Sequence, residues 1–305
     1  MRPNAQVITV GKEVTYKTDV VPANAIPVSN VDFKPMQGST VERNITSPAF
    51  GASKSIHTAP YSMLSFEIEA TGSGAVGTKP AYADLLEGAG RDINEVAVTN
   101  AISLPVSAGQ SSLSIYFNWD GELHKLLGAR GTCSLVFTEG GYPMLRFEFV
   151  GIRSNPSTVA LPTPDFSGFV EPLPFNDDNT NFTLFGYAAI LHSLTLDDNT
   201  SVSHRNLPND ESVNVEDRAS GGQVTIDMPT IASKDYHAII ADHTTGALQI
   251  VHGVVAGNIL TVDCPKVQLI SPSFGDSKGF LTIQATIKAL PSVEGADDEV
   301  KYTWT

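Results

Sequence analysis

PYSMLSFEIEATGSGAVGTKPAYADLLEGAGRDI, residues 60–93, decides the architecture. Leu64, Phe66 and Ile68 alternate with Ser65, Glu67 and Glu69. That is the two-residue period of a strand with one buried face and one acidic face. Gly72, Gly74 and Gly77 follow in a loop, and 79–88 reads as a single short helix. Pro80 suits its first turn, and Gly88 and Gly90 suit its stop.

The same alternation recurs along the chain. Leu113, Ile115 and Phe117 alternate with polar residues, as do Leu281, Ile283, Ala285 and Ile287. Further strands are expected over 14–20, 28–33, 132–137, 145–151, 183–196, 213–216, 224–228, 248–251 and 259–262. Turn residues separate them, which predicts a β-sandwich or barrel. A second short helix is expected over 233–243, with Ser233 as its N-cap. The fold class is therefore mainly β, a β-dominated α+β chain.

The two helices point to a duplication. Tyr82, Leu85 and Leu86 match Tyr236, Ile239 and Ile240 at a constant spacing of 154 residues. Each helix follows an acidic strand, SFEIEA and then TIDMP. Each half closes on a strand and a Pro-Ser pair, GIRSNPS at 151–157 and TIKALPS at 286–292. The terminal strands align best when Phe147 matches Ile283 and Phe149 matches Ala285. Cys133 and Cys264 fall on corresponding late strands. The expected organisation is a first β-sandwich unit over 1–160, a Pro-rich linker over 161–175 and a second unit over 176–305.

Composition narrows the function. The 305 residues hold 19 Lys and Arg against 33 Asp and Glu, for a net charge of −14. Nucleic-acid binding through phosphates needs the opposite sign. No apolar run is long enough for a membrane span, and no secretory leader is visible. Two cysteines suit a reducing compartment. Residues 72–77 fit G-x-G-x-x-G, with Asp92 or Glu95 downstream, yet the repeated βαβ crossovers of a dinucleotide fold are missing. Glu67 and Glu69 would also repel a pyrophosphate. Asp-Asp-Asn at 177–179 and 197–199 is ordinary turn chemistry, and the histidines lack zinc spacing. No catalytic constellation, cofactor or metal is implied. Cys133 reads as a buried small hydrophobe.

The sequence resembles the major tail tube proteins of long, non-contractile phage tails, with closest likeness to those of Mu-like Pseudomonas siphophages. Residues 60–93 carry the resemblance, with DGELHKLLGARGTCSLVFTEGGYPMLRFEFVGI at 120–152 and KDYHAIIADHTTGALQIVHG at 234–253. The resemblance implies two tandem sandwich units, each with one flanking helix, in a protein that is not an enzyme. It implies stacked rings in the virion tail, assembled in the host cytoplasm. Three two-unit chains would complete a pseudo-sixfold ring around a channel for DNA ejection. Arms at 28–44 and 194–214 would contact the next ring. Implied partners are other copies, tape-measure, tail-terminator and tail-tip proteins, and passing double-stranded DNA that is not gripped. An acid-lined bore repels phosphates. Glu67 and Glu69, with Asp227 as their second-half counterpart, are the candidate lumen-facing acids, unless that face lies on an outer or inter-ring surface. The other reading is a virion decoration or adhesion module that binds glycan or protein, with Trp119 as its contact residue.

Overall fold

The computed structural model describes residues 2, 4–43, 45–46, 51–96 and 100–305. In the first half the strands are β1 (Gln6–Lys12), β2 (Asn24–Ile26), β3 (Ser29–Glu42), β4 (Ser55–Glu69), β5 (Arg91–Val96), β6 (Asn100–Pro105), β7 (Leu113–Trp119), β8 (Glu122–Thr138), β9 (Met144–Arg153) and β10 (Ser157–Thr158). Helix α1 (Ala83–Gly88) lies between β4 and β5. The second half holds β11 (Thr180–Leu184), β12 (Tyr187–Ala188), β13 (Leu191–Asp197), β14 (Thr200–Leu207), β15 (Asp210–Arg218), β16 (Gly221–Asp227), β17 (Thr245–His252), β18 (Leu260–Ser277), β19 (Phe280–Leu290) and β20 (Lys301–Trp304). Helix α2 (Tyr236–Ala241) follows β16. The chain is mainly β, as its alternating pattern demands.

The halves pair their strands in one order. The first runs β2-β1-β7-β8-β9-β4-β3. The second runs β12-β11-β17-β18-β19-β16-β13. Every pairing is antiparallel. The β7–β8 and β17–β18 hairpins even share a bulge on their long strands, at Leu126–Ala129 and at Cys264–Val267. That bulge sets the true offset at 138 residues, because Gly131 pairs with Phe149 and Leu269 with Ile287. Phe147 therefore matches Ala285 and Phe149 matches Ile287, two residues from the sequence-based alignment. A shift of two keeps every side chain on its own face, so alternation alone does not reveal it.

Among the described residues, two ladders join the halves. β8 pairs with β13 from Ser134↔Asp197 to Thr138↔Ser193. The C-terminal β20 sits between β18 and β6. One apolar core runs through both halves, from Ile8, Phe66 and Phe147 to Val262 and Trp304. Inside it, Arg91 and Asp198 form a two-pronged ion pair at 2.7 and 2.8 Å, and Arg91 Nη1 donates to Val300 O at 3.1 Å. The guanidinium lies 3.8 Å from the Tyr302 ring centroid, and Cys133 Sγ donates to Asp198 at 3.0 Å. Burial alone would lower the Arg91 pKa; Asp198 outweighs it and keeps the guanidinium charged. Burial also pushes the Cys133 thiol well up, so it is not a nucleophile.

Other local expectations shift. Residues 14–20 are turn and loop, not strand: Val14 is 96% exposed and Lys17 has φ of +65°. The buried Glu13 carboxylate organises that turn, accepting from Lys17 N, Ser112 Oγ, Ser114 Oγ and Gly128 N. The strand lies just upstream in β1, where Ile8 and Val10 are buried. Both helices are shorter than expected, at 6 residues each. Asp235, not Ser233, caps α2, accepting from Ala238 N at 3.0 Å. Ser233 Oγ bonds Thr230 instead. The expected first arm ends at Asn44, which lies outside the described residues. The second arm, β14–β15, lies on the first half of its own chain: Val213 packs on Val150 and Ile152, and Arg130 donates to Val213 O at 2.9 Å.

Removing either partner of the buried ion pair leaves the other charge stranded. Arg91→Met and Asp198→Ala should each lower unfolding free energy by roughly 3–5 kcal/mol. Arg91→Met combined with Asp198→Leu should cost less than the two single changes summed. Urea titration of the purified chain measures all three.

Candidate functional site

The strands at the junction form one continuous sheet in the order β3-β4-β9-β8-β13-β16-β19-β18. One face carries Leu64, Phe66, Phe147, Leu135, Leu194, Val224 and Ile283 into the core. The other face is open and polar. Alternation places there Asp32, Glu67, Glu69, Glu148, Asp197 and Asp227, against Lys34, Arg146 and Lys288. All three sequence-predicted acids therefore share one face. Glu69 pairs with Met144 and Asp227 with Thr282, which are equivalent at the offset of 138. Glu69 and Asp227 thus end their strands at matching positions.

The three acids differ in their surroundings. Glu67 is compensated: Arg146 Nε lies 2.6 Å from its carboxylate, and Asn30 donates to it at 2.6 Å. Burial raises the Glu69 pKa, and the neighbouring charge of Glu171 adds to the rise. Asp227 Oδ1 lies 2.7 Å from His192 Nε2 and accepts its hydrogen bond. Glu148, Asp197 and His192 join them: alternation with Phe147 and Phe149 marks Glu148, whereas Asp197 reads as turn chemistry and His192 lies at a register shift of β13. Burial raises the Asp197 pKa, with Asp198 and Glu148 adding like charge. In both Glu69 and Asp197 burial is the larger cause and the like charges add to it. A depression of about 300 Å³ between Glu67, Arg146, Glu148 and Asp197 follows this face.

The rim at Asp227 is tied across the sheet. His192 Nδ1 lies 3.2 Å from Glu139, on the β8–β9 turn. Lys278, on the β18–β19 turn, pairs with the same Glu139. Four strand steps of ~4.8 Å separate those turns along the sheet. Two side chains, Glu139 and Lys278, bridge those turns directly.

The glycine loop at 72–77 has a structural task. Gly74 N donates to Gly257 O at 2.8 Å, and Gly72 N donates to Asn258 Oδ1 at 3.0 Å. A Cβ on Gly72 would lie 2.4 Å from Asn258 Cα. The loop needs glycine to pack against the second half, and these two amides are already engaged. Trp119 ends β7 and pairs with Glu122 across the hairpin, with its ring 5.9 Å from that of Phe117 and tilted against it by 53°. Among the described residues, no group of three His, Cys, Asp or Glu side chains is placed to hold a metal ion. Among the same residues, no helix is long and apolar enough to cross a membrane.

A sequence-family model described as phage tail tube protein matches residues 3–300. The chain belongs to the phage tail tube family. The match supports the family and no narrower phage group. No curated protein matches the chain. Membership makes this a structural protein of the virion tail, from a family that is not an enzyme class, and implies that its copies assemble into a tube.

The His192 bridge makes one titration prediction. The hydrogen bond that His192 donates to Asp227 raises the His192 pKa above its ordinary 6.5, against the lowering effect of burial, and Glu139 adds to the rise. A folded-state pKa above the unfolded one stabilises fully below about 6.5 and is lost as pH rises through the folded value. Asp227→Asn should lower the His192 pKa and shrink that pH dependence. NMR titration of the imidazole in both proteins reads the change.

Proposed function

We propose that the chain carries two tube-forming units, over 1–160 and 176–305, joined by the Pro-rich 161–175. Three chains then complete a ring of pseudo-sixfold symmetry, and rings stack into a conduit for DNA ejection. The observation that carries this reading is the identical strand order of the two halves, joined edge to edge through β8 and β13. Four strands from each half form the polar sheet, eight per chain. Three chains supply twenty-four, whose spacing of ~4.8 Å closes a barrel about 37 Å across between backbones, before tilt widens it. Such a bore admits a DNA duplex.

The open face lines this bore. Glu67, Glu69 and Asp227 face the lumen with Glu148 and Asp197. Phosphates are repelled and keep their counterions, so the duplex passes without sticking. Arg146 and His192 moderate this field and keep the carboxylates apart. Assembly takes place in the host cytoplasm, with tape-measure, tail-terminator and tail-tip proteins setting length and ends.

Electron microscopy of assembled protein should show hollow tubes with three chains per ring; six chains per ring would refute the two-unit count. Tubes of Glu69→Lys/Glu148→Lys/Asp197→Lys should retain their shape yet bind duplex DNA at low salt. That affinity should fall steeply as salt rises. Tubes of the unaltered chain should not retain DNA.

A further inference from the structure

The linker between the halves is not free along its whole length. Residues 160–168 are exposed, but Phe169 and Phe175 pack on the core. Phe175 N donates to Gly141 O at 2.9 Å, Asn179 Nδ2 donates to Pro174 O at 3.2 Å, and the Phe175 ring lies 5.7 Å from that of Phe137. Pro172 and Pro174 have no N–H to give, so this end of the linker is held by few backbone bonds. Beneath it His252 closes β17 and is only 4% exposed. Thr180 Oγ1 lies 2.9 Å from its Nδ1, the Phe137 ring stands edge-on at 6.0 Å, and Leu260 pairs with it across the ladder. Nε2 is buried with no hydrogen bond of normal geometry, and the Leu173 backbone is the other polar group acting on the ring.

We infer that His252 is an acid-operated latch: a proton on its buried ring releases residues 171–175 from the junction, while the sheets stay paired. The neutral imidazole fits its site, whereas an imidazolium there is a buried charge without a counterion. β11 offers the ring Thr180, β8 offers Phe137, β18 offers Leu260 and the linker offers the Leu173 backbone, none of them charged. The acids that flank these contacts are engaged elsewhere or face solvent. Asp177 and Asp178 are exposed, Glu139 pairs with His192 and Lys278, and Asp263 is bound by Gln249 and Lys301. Burial accordingly holds the His252 pKa below its ordinary 6.5. Release exposes the ring and restores the ordinary value, so the released form binds the proton better and acid favours it. The linker is the part that yields, because the other neighbours of the ring lie on strands held by ladder bonds. Glu171 rides on the same segment and its charge opposes that of Glu69. Protonating those two carboxylates favours the closed form, so release is greatest between the histidine and carboxylate titrations. It uncovers the apolar contact of Phe175 with Phe137 and needs only one chain, so it is independent of the tube reading.

Hydrogen exchange in the full chain tests the latch. After correction for the intrinsic rate, the Phe175 amide should lose protection by up to about tenfold as pH falls from about 6.5 to about 5.5. Amides at 194–196, on the β8–β13 ladder, should stay protected over the same range. His252→Gln, which cannot take the proton, should keep the circular dichroism spectrum and remove the pH dependence at Phe175. Phe175→Ala weakens the closed form, and NMR titration should then find the His252 pKa moved up toward 6.5; this variant leaves His252 in place and serves where the glutamine variant does not fold. Phe175 protection that is flat with pH, the same pH dependence in His252→Gln, a His252 pKa unmoved by Phe175→Ala, or loss of protection at 194–196 in step with Phe175 would each overturn the latch.

Discussion

Backbone amides on a strand edge must find acceptors, and the β8–β13 ladder is where this chain meets that demand internally. It turns two seven-strand assemblies into one continuous sheet. The same demand explains the glycines around it. A Cβ on Gly222 would lie 1.8 Å from Thr195 O, so β13 approaches β16 closely only because residue 222 has no side chain. Behind the ladder, the Arg91–Asp198 pair ties the residue opening β5 to the turn after β13. A charge pair this deeply buried is weak evidence for net stability but strong geometry, since both prongs must be made at once.

The polar face of the sheet is acidic without being uniformly so. Glu67 is held by Arg146, and Asp227 by His192. Glu69, Glu148 and Asp197 make no ion pair among the described residues. The net charge of −14 thus has a local expression on one surface, tempered where carboxylates would otherwise crowd. As the wall of the proposed bore, this face has two demands to satisfy together: repulsion of phosphate and coherence of the wall itself. Cations set between the acids serve the second demand without reversing the first.

How much was legible depended on range. Alternation at 64–69 and 281–287 identified strands and their buried faces, because period two is a local property. The acids Glu67, Glu69 and Asp227 fell on one face for the same reason. The strand expected at 14–20 failed because Val14 and Tyr16 mimic alternation, while the buried Glu13 carboxylate drives a turn. The helix start was misplaced by two residues because Ser233 and Asp235 are both good caps, and backbone geometry selects the second. His192 carried no local sign of its place, because the register of β13 shifts beside it, and Asp197 was hidden in an Asp-Asp-Asn run that reads as a turn.

The sequence by itself determined the mainly β class, the repetition of strand, loop and short helix, the acidic balance and the family. These follow from composition and from contacts a few residues apart. Only the tertiary structure decided the offset of 138 between the halves, the Arg91–Asp198 bond across 107 residues, and the seating of the linker end beside Phe137 and His252. Register changes in steps of two leave the face pattern intact. Long-range pairing depends on which edges meet in space, and alternation along one strand carries no information about its neighbour.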